Sequence, residues 1–411
     1  MERNVTCCIA GGGPAGMMLG VLLARAGVEV LVLEKHRDFL RDFRGDTIHP
    51  STLQVIDELG WLDEFLKLPH QKVPDLVAQF GKTPFKIADF SHLPVKAPYI
   101  AMMPQWDFLE FLARKGKTYP HFNIVMHTEA TGLVIDAGQV TGVAAKGADG
   151  PLTISADLVV AADGRASTVR RAAGFTAQDF GAPMDVLWFS LARKATDTAQ
   201  TQARFDAGRI FIMLNRGDYW QCAFVIPKDG DEKIRAQGLA AFREKVSPLL
   251  PFDGARARSI ASFDDVKLLR VQVDRLVKWC RPGFLCIGDA AHAMSPVGGV
   301  GVNLAVQDAV ASANLLAEPL REKRLTLADL ESVQARRDFP TRVTQRIQLT
   351  MQNAMIAPAL ANSGRVRAPL LMRMIAGIPG LNRLPARVIG LGVRPEHVSD
   401  AIRAGQGLVA G

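Results

Sequence analysis

The first part of the chain holds two short apolar runs separated by a longer stretch rich in leucine, methionine and alanine. Val5–Ala10 reads as a buried parallel strand, and Met17–Ala26 reads as a helix that ends at Gly27. Glu29–Glu34 is a second strand and ends in an acid. This order predicts a strand–helix–strand unit within a parallel sheet.

The turn after the first strand is Gly11-Gly-Gly13-Pro-Ala-Gly16, a GxGxxG pattern. Gly11 permits the tight turn, Gly13 lets a pyrophosphate approach the backbone, and Gly16 lets the helix pack closely on the strand. The helix N-terminus offers free N–H groups to the anion, and Glu34 is placed to accept hydrogen bonds from a ribose. The pattern predicts dinucleotide binding and fits NAD and FAD equally well.

Beyond residue 34 the pattern changes from regular strand–helix units to irregular polar sequence, followed by an amphipathic helix over 51–68. Alternating apolar positions predict sheet strands at Val186–Ala192, Arg209–Leu214 and Tyr219–Ile226. The tail predicts helices broken at its prolines, which are Pro358, Pro369, Pro379 and Pro385.

Two later apolar strands also end in acidic and glycine residues. One leads into Asp163-Gly164, and the other leads into Gly288-Asp289. Asp289 is placed to accept hydrogen bonds from ribityl hydroxyls. The loop over 296–301 has bare N–H groups at a helix start, which favours the negative charge of a reduced flavin.

These three ordered motifs resemble the para-hydroxybenzoate hydroxylase-like family of group A FAD-dependent monooxygenases, from Val5 to about residue 320. The resemblance implies an α/β fold (α+β overall), with a Rossmann-like FAD-binding domain, a β-sheet substrate domain and a helical C-terminal region. It implies FAD as cofactor, NADPH or NADH as transient reductant, and oxygen transfer through a C4a-hydroperoxyflavin. The two tyrosines that relay a proton in the founding hydroxylase have no match here, which argues against para-hydroxybenzoate as substrate.

The resemblance also implies individual cofactor contacts. Arg44 would reach the pyrophosphate region, Gln105 the ribityl chain, and the Ala130 backbone the adenine. The full set of expected cofactor-binding residues is Gly11, Gly13, Pro14, Ala15, Gly16, Glu34, Lys35, Arg44, Gln105, Ala130, Asp163, Gly164, Gly288, Asp289, Pro296, Gly299, Val300, Gly301 and Val302.

We predict three regions. Residues 1–73, 99–175 and 276–345 form a discontinuous FAD-binding domain, 74–98 and 176–275 form the substrate sheet, and 346–411 form a helical cap. Substrate-pocket candidates alternate along the strands and face either the pocket or ordinary sheet core; they are Trp188, Phe211, Met213, Trp220 and Cys222. No catalytic side chain is assigned, although His49 is a candidate to meet substrate. His292 is interpreted as structural rather than as a base.

Composition narrows the functional class. The 411 residues are 48% hydrophobic and 22% charged, which excludes a disordered chain. Five scattered cysteines without metal-ligand spacing predict reduced, mostly buried thiols and no metal site. No apolar run is long enough to span a membrane, and the strand that follows Met1 leaves no room for a secretory signal. We therefore expect a cytoplasmic protein, monomeric or homodimeric.

The net charge of +8 is concentrated in the tail, where the last 67 residues have eight arginines and two acids. The tail has no aromatic residues between its arginines and the chain has no nucleic-acid motif, so we expect no nucleic-acid partner. A packed cap, a lid for an oily substrate and a membrane-surface patch remain alternatives for it.

The expected activity is hydroxylation of a hydrophobic aromatic, quinone or polyketide-like small molecule by O2. A reductase or dehydrogenase of the same fold, which inserts no oxygen, is an alternative. A non-enzymatic flavin-binding module is another. A flavin halogenase is disfavoured because Trp220–Pro227 has the Ile-Pro of the WxWxIP stretch expected there but no second tryptophan.

Overall fold

The computed structural model describes residues 2–40, 47–81, 83–197, 201–206, 208–361 and 368–405. The strands, in chain order, are β1 (Glu2–Ala10), β2 (Val30–Leu33), β3 (Thr47–Ile48), β4 (Gln71–Val73), β5 (Asp75–Phe80), β6 (Thr83–Asp89), β7 (Ile100–Met102), β8 (Phe122–Val125), β9 (Glu129–Asp136), β10 (Gln139–Gly147), β11 (Gly150–Ala161), β12 (Ala177–Asp179), β13 (Met184–Ala192), β14 (Gln202–Asp206), β15 (Arg209–Asn215), β16 (Tyr219–Pro227), β17 (Lys267–Leu269), β18 (Asp274–Leu276), β19 (Cys280–Arg281) and β20 (Phe284–Cys286).

The helices, in chain order, are α1 (Pro14–Arg25), α2 (Pro50–Glu58), α3 (Leu62–Phe65), α4 (Gln105–Gly116), α5 (Thr168–Ala172), α6 (Asp231–Ala236), α7 (Gly238–Val246), α8 (Gly301–Arg321), α9 (Leu327–Met351), α10 (Ala357–Ala361), α11 (Leu370–Gly377), α12 (Arg383–Gly390) and α13 (Asp400–Ala404). A π-helical turn, Gln352–Ile356, joins α9 to α10.

The first sheet is the predicted dinucleotide unit. Its strands lie in the order β19-β20-β11-β1-β2-β8, and β1 pairs in parallel with both β11 and β2. Helix α1 is buried on nearly every side because it packs between this sheet and other helices, which explains its almost wholly apolar sequence. The strand order places the ends of β1, β2, β11 and β20 at one edge.

The predicted helix over 51–68 is two helices, α2 and α3. Gly60 separates them with a φ of +77°, a conformation that a helix interior does not contain. Leu59 and Leu62 keep the apolar spacing across the break, so both helices still bury that face. Periodicity alone could not show the break.

The second sheet has the strand order β17-β13-β16-β15-β14-β5-β6. It draws β5 and β6 from residues before 90 and its other strands from 184–269. One face packs on α7, and the other packs on Ile356 and Ala359 of the C-terminal region.

The tail differs from the predicted cap in two ways. Helix α9 runs unbroken through the proposed boundary at residue 346, and Pro385 lies in the first turn of α12, where its missing N–H costs no hydrogen bond. Helices α11 and α12 pack on the β6 side of the second sheet, but Val398 and Ile402 belong to the core of the first sheet. The tail therefore spans both sheets.

A single helical stretch in the described part of the chain, Val297–Arg321, is long and apolar enough by composition to cross a membrane. It consists of α8 and the turn before it, and 78% of its most apolar window is buried inside the protein. The core position of α8 against α1 and α9 accounts for its hydropathy.

Candidate active site

The glycine turn after β1 is packed so tightly that two of its positions have no room for a side chain. A methyl group on Gly11, whose φ is +110°, would lie 2.3 Å from the carbonyl oxygen of Ala162. One on Gly16 would lie 2.0 Å from the Gly11 oxygen. Gly13, the N-cap of α1, has no atom of the described residues within 4 Å of such a position, so its open side can admit a ligand next to the helix N-terminus.

Glu34 follows β2 and points back at the glycine turn. Its Oε2 accepts a hydrogen bond from the Gly12 N–H at 3.1 Å, and its Oε1 lies 2.6 Å from Nδ1 of His36. The Thr128 N–H donates to the Glu34 carbonyl oxygen at 2.9 Å. This bond holds the segment that leads to Ala130 beside the end of β2. A buried carboxylate thus sits beside the turn, where a ribose of a dinucleotide would lie.

The Asp-Gly and Gly-Asp motifs meet at the same sheet edge. The Asp163 Oδ2 accepts from the Thr168 N–H at 2.8 Å, while its Oδ1 is buried and has no hydrogen-bond partner in the described part of the chain. Burial raises the pKa of Asp163, although hydrogen bonds from Ser167 and Thr168 act in the opposite direction. Arg165 donates from Nη2 to the Asp289 Oδ2 at 3.0 Å, so one arginine links the two motifs.

The loop over 296–302 makes one 3₁₀ turn and then enters α8 at Gly301. Gly299 has a φ of +65°, and the Thr47 hydroxyl donates to its carbonyl oxygen at 2.9 Å. A methyl group at Gly299 would lie 2.6 Å from the Thr47 Oγ1. This close approach fixes the loop against β3 and presents its backbone at the start of a long helix.

His49 lies just after β3 and is fully buried. Its Nδ1 lies 2.9 Å from the carbonyl oxygen of Ile389. Burial lowers the pKa of His49 to about 4, so the ring is neutral at neutral pH. The backbone oxygens of Ile389 and Gly299 act in the opposite direction on this pKa, so the ring is enclosed by burial and main-chain acceptors.

His292 is part of a buried charged network. Its Nε2 lies 2.6 Å from the Asp308 Oδ2, which also accepts from the Gly288 N–H at 3.0 Å. The Asp308 Oδ1 accepts from the Arg337 Nε at 3.0 Å, and Arg337 reaches Glu396 at 3.5 Å. These contacts favour a structural role for His292, because its ring contacts Asp308, which in turn accepts a hydrogen bond from the Gly288 N–H.

The five sequence-predicted pocket residues divide between the two faces of the second sheet. Trp188 lies on the face that packs with Val297 of the loop over 296–302, which we call the inner face. The other four are corrected: they lie on the outer face and pack against α7 and its neighbours, as Phe211, Met213, Trp220 and Cys222. The period of two shows which residues share a face but not which face is inward.

The inner face of the second sheet is therefore formed by the residues that alternate with those four along the strands. Its apolar members are Val186, Trp188, Ile210, Ile212, Ala223 and Val225. The Trp188 Nε1 is buried and has no hydrogen-bond partner among the residues that the structure describes. This face combines an apolar surface with one unused N–H donor.

Three other predicted cofactor contacts lie elsewhere in the chain. Gln105 is the first residue of α4 and is half-buried, Ala130 lies in β9, and Lys35 is exposed. Arg44 lies outside the described residues. Sequence reasoning missed Arg165, although it directly follows Asp163-Gly164.

The described residues fit a dinucleotide of the FAD type. The open side of Gly13 and the helix α1 N-terminus suit a pyrophosphate, and the orphaned Asp163 Oδ1 marks an unused acceptor at the same edge. Asp289 is about one-third exposed, so its carboxylate can still receive hydroxyl donors beside Arg165. The donors and acceptors thus line one continuous edge of the sheet.

Comparison with known proteins agrees with this arrangement. The family model described as FAD binding domain matches residues 4–347. The chain is 32% identical to 6-methylpretetramide 4-monooxygenase of Streptomyces rimosus over 387 residues, which are 93% of this chain and 91% of that protein. It is 29% identical to the rifampicin monooxygenase of Streptomyces venezuelae over 325 residues, which are 73% of this chain and 61% of that protein.

Among solved structures, the fold is similar to that of p-nitrophenol 4-monooxygenase from Pseudomonas putida DLL-E4. The TM-score is 0.76 at 21% identity, and the match covers 95% of this chain and 97% of that one. At this identity the likeness concerns the fold.

Proposed function

The chain belongs to the para-hydroxybenzoate hydroxylase-like family of FAD-dependent monooxygenases, and we propose that it hydroxylates a hydrophobic aromatic, quinone or polyketide-like molecule. When FAD is bound, it would accept electrons from NADPH or NADH and activate O2. The route of oxygen transfer expected from the resemblance is part of this proposal, as are a cytoplasmic location and a monomeric or homodimeric state. The substrates in the names of two relatives, 6-methylpretetramide and rifampicin, support the substrate class.

We assign the cofactor to the edge formed by β1, β2, β11 and β20. Gly13 and the start of α1 would bind the pyrophosphate, Glu34 the adenosine ribose, and Asp289 the ribityl hydroxyls. The N–H groups over 300–302 would face the flavin ring, because the Gly299 N–H already donates to the Pro296 carbonyl oxygen at 3.0 Å. Arg44, Gln105 and Ala130 would be further contacts. Val300 and Val302 are buried, so their backbone N–H groups rather than their side chains would act there.

The inner face of the second sheet carries the proposal for the substrate. Trp188 shares this apolar face with Ile212 and Ala223, and Val297 of the flavin loop packs against the same cluster. An apolar ring system between the sheet and the loop would exclude water from the reacting atoms. The unpartnered Trp188 N–H would orient it by donating to a carbonyl or phenolic oxygen.

The test uses purified protein with its visible spectrum, NADH and NADPH oxidation, and O2 uptake, measured against phenols, quinones and polyketides. Products from ¹⁸O₂ reactions are then analysed by mass spectrometry. A product that carries one ¹⁸O atom is the expected result. Turnover without oxygen in the product would favour the reductase or dehydrogenase, and bound flavin without NAD(P)H oxidation under any substrate would favour the binding module.

Trp188→Phe tests the substrate assignment, and Trp220→Phe is its matched control. Both changes remove an indole N–H, but the Trp220 Nε1 donates to Asp197 at 3.2 Å on the outer face of the sheet. Loss of a hydrogen bond to substrate costs about 1 kcal/mol, so we expect KM to rise roughly fivefold in Trp188→Phe alone. Equal KM changes in both variants would contradict the assignment of Trp188 to the substrate pocket.

A further inference from the structure

The C-terminal region has a charge pattern that the proposed chemistry does not use. The 57 residues from Phe339 to Pro395 contain eight arginines and no lysine, aspartate or glutamate. Elsewhere the chain mixes both signs, so this one-sided segment accounts for all of its net charge of +8. A surface built from it attracts anions over a distance set by the ionic strength.

Helices α11 and α12 carry part of this segment on the molecular surface. Each repeats one pattern, Leu-x-x-Arg followed by an apolar residue: Leu370, Arg373 and Met374 in α11, then Leu384, Arg387 and Val388 in α12. At i, i+3 and i+4 these side chains share a helix face. The solvent-exposed fractions of the four apolar side chains are 70%, 46%, 63% and 37% in chain order.

The opposite faces of the two helices are occupied. Met372 packs with Phe80 of β5 and Phe85 of β6, while Ala386 packs with Phe90. The helices are therefore attached to the protein by one side and present leucine and arginine on the other. Exposed aliphatic side chains grouped in this way mark an interaction surface.

The chemistry of this surface fits one occupant. Aliphatic side chains beside arginines match a bilayer with anionic headgroups, because the guanidinium groups reach phosphates while the apolar side chains enter the acyl boundary. A second copy of the chain would oppose arginine to arginine across a two-fold axis. Nucleic acid is disfavoured because the stretch from Leu370 to Leu391 contains no aromatic residue for stacking.

We propose that the exposed face of α11 and α12 docks the protein peripherally on anionic lipid. Helix α12 is also close to the active site, because the Ile389 carbonyl oxygen lies 2.9 Å from Nδ1 of His49. If the proposed substrate class is right, the same bilayer would hold the apolar substrate near the pocket. The docking itself does not depend on that substrate.

The experiment is flotation of the full-length FAD-loaded protein with vesicles of phosphatidylglycerol and phosphatidylcholine, compared with phosphatidylcholine alone. Binding to the anionic vesicles that falls at high salt is expected. Arg373→Gln, Arg383→Gln and Arg387→Gln together should weaken binding roughly 100-fold, since each arginine near an anionic surface contributes about fivefold. Leu370→Ser with Leu384→Ser should also reduce it, because each removes apolar area from the bilayer.

Val277→Ser is the matched control, because Val277 is 73% exposed and lies outside the docking surface. It should bind vesicles like the parent, and far-UV circular dichroism with flavin absorbance shows that each variant is folded. The proposal is overturned if anionic vesicles do not float the protein, if Val277→Ser is as defective as the leucine pair, or if poly-glutamate binds as well as the vesicles do. These outcomes are independent of turnover, so they are separate from failure of the proposed function.

Discussion

Replacement of Asp308 by asparagine tests whether the buried network behind Gly288 supports the cofactor edge. Asp308 has no exposed surface and accepts from His292, Arg337 and the Gly288 N–H. Burial acts to raise the pKa of Asp308, but the opposing effects of His292 and Arg337 are larger and hold that pKa below its usual range. The carboxylate is therefore ionised in the folded protein at neutral pH.

The cost follows from which atoms lose a partner. However the new amide is turned, its NH₂ group faces either the Arg337 Nε or the Gly288 N–H, and two donors then oppose each other. Arg337 is 1% exposed, and its other partners among the described residues are more distant: Glu396 and the Arg394 carbonyl oxygen both lie 3.5 Å from its Nη1. Breaking a buried ion pair on one side costs about 3–5 kcal/mol, and we expect a loss of about 3 kcal/mol in the free energy of unfolding.

The assay is urea unfolding followed by circular dichroism, together with FAD titration by quenching of flavin fluorescence. Glu64→Gln is the control, since Glu64 pairs with Lys115 and Arg114 at the surface and should cost under about 1 kcal/mol. We expect Asp308→Asn to lose both stability and FAD affinity. If it unfolds within about 1 kcal/mol of the parent, the network does not hold the edge together.

Three further predictions follow from burial and close packing. Gly16→Ala should destabilise the fold by more than about 1 kcal/mol in urea, because its methyl group meets the Gly11 oxygen, whereas Gly13→Ala should keep the fold and weaken FAD binding in the same titration. The pKa of His49 is lowered from 6.5 in the unfolded chain to about 4 in the folded protein, so the unfolded chain binds the proton more readily. The free energy of unfolding should therefore fall by up to ~3 kcal/mol as the pH drops from 6.5 to about 4. His49→Asn should remove this share of the acid destabilisation, and an unchanged pH profile in the variant would contradict the prediction. The five cysteines are buried, and burial raises the pKa of Cys8 to about 12, so Ellman's reagent should titrate no thiol in native protein and five after unfolding.

The dinucleotide unit could be predicted because its signals are local. The glycine spacing, the apolar runs and the terminal Glu34 all lie within about thirty consecutive residues, and each has its own steric or electrostatic reason. The structure confirms the strand–helix–strand order and shows that Gly11 and Gly16 tolerate no side chain. The same locality made the start of α8 predictable from its glycine loop.

What could not be predicted depends on contacts between distant segments. Alternation along β15 and β16 gives two faces, but only the packing of α7 shows that Trp220 and Phe211 lie on the outer one. Asp308, Arg337 and Glu396 come from three separate segments, and no spacing in the sequence connects them. The split of the helix over 51–68 depends on one positive φ at Gly60.

The position of β1 inside its sheet has a consequence for synthesis. Its neighbour β11 ends only at Ala161, and Arg25 of α1 donates from Nε to the carbonyl oxygen of Ile402 at 2.8 Å. At a translation rate of about 5–20 residues per second, β11 is complete roughly 8–30 s after β1, and the last contact of α1 is complete roughly 20–80 s after α1. During that interval on the ribosome one edge of the apolar strand β1 is without its partner, and such an edge can pair with another chain.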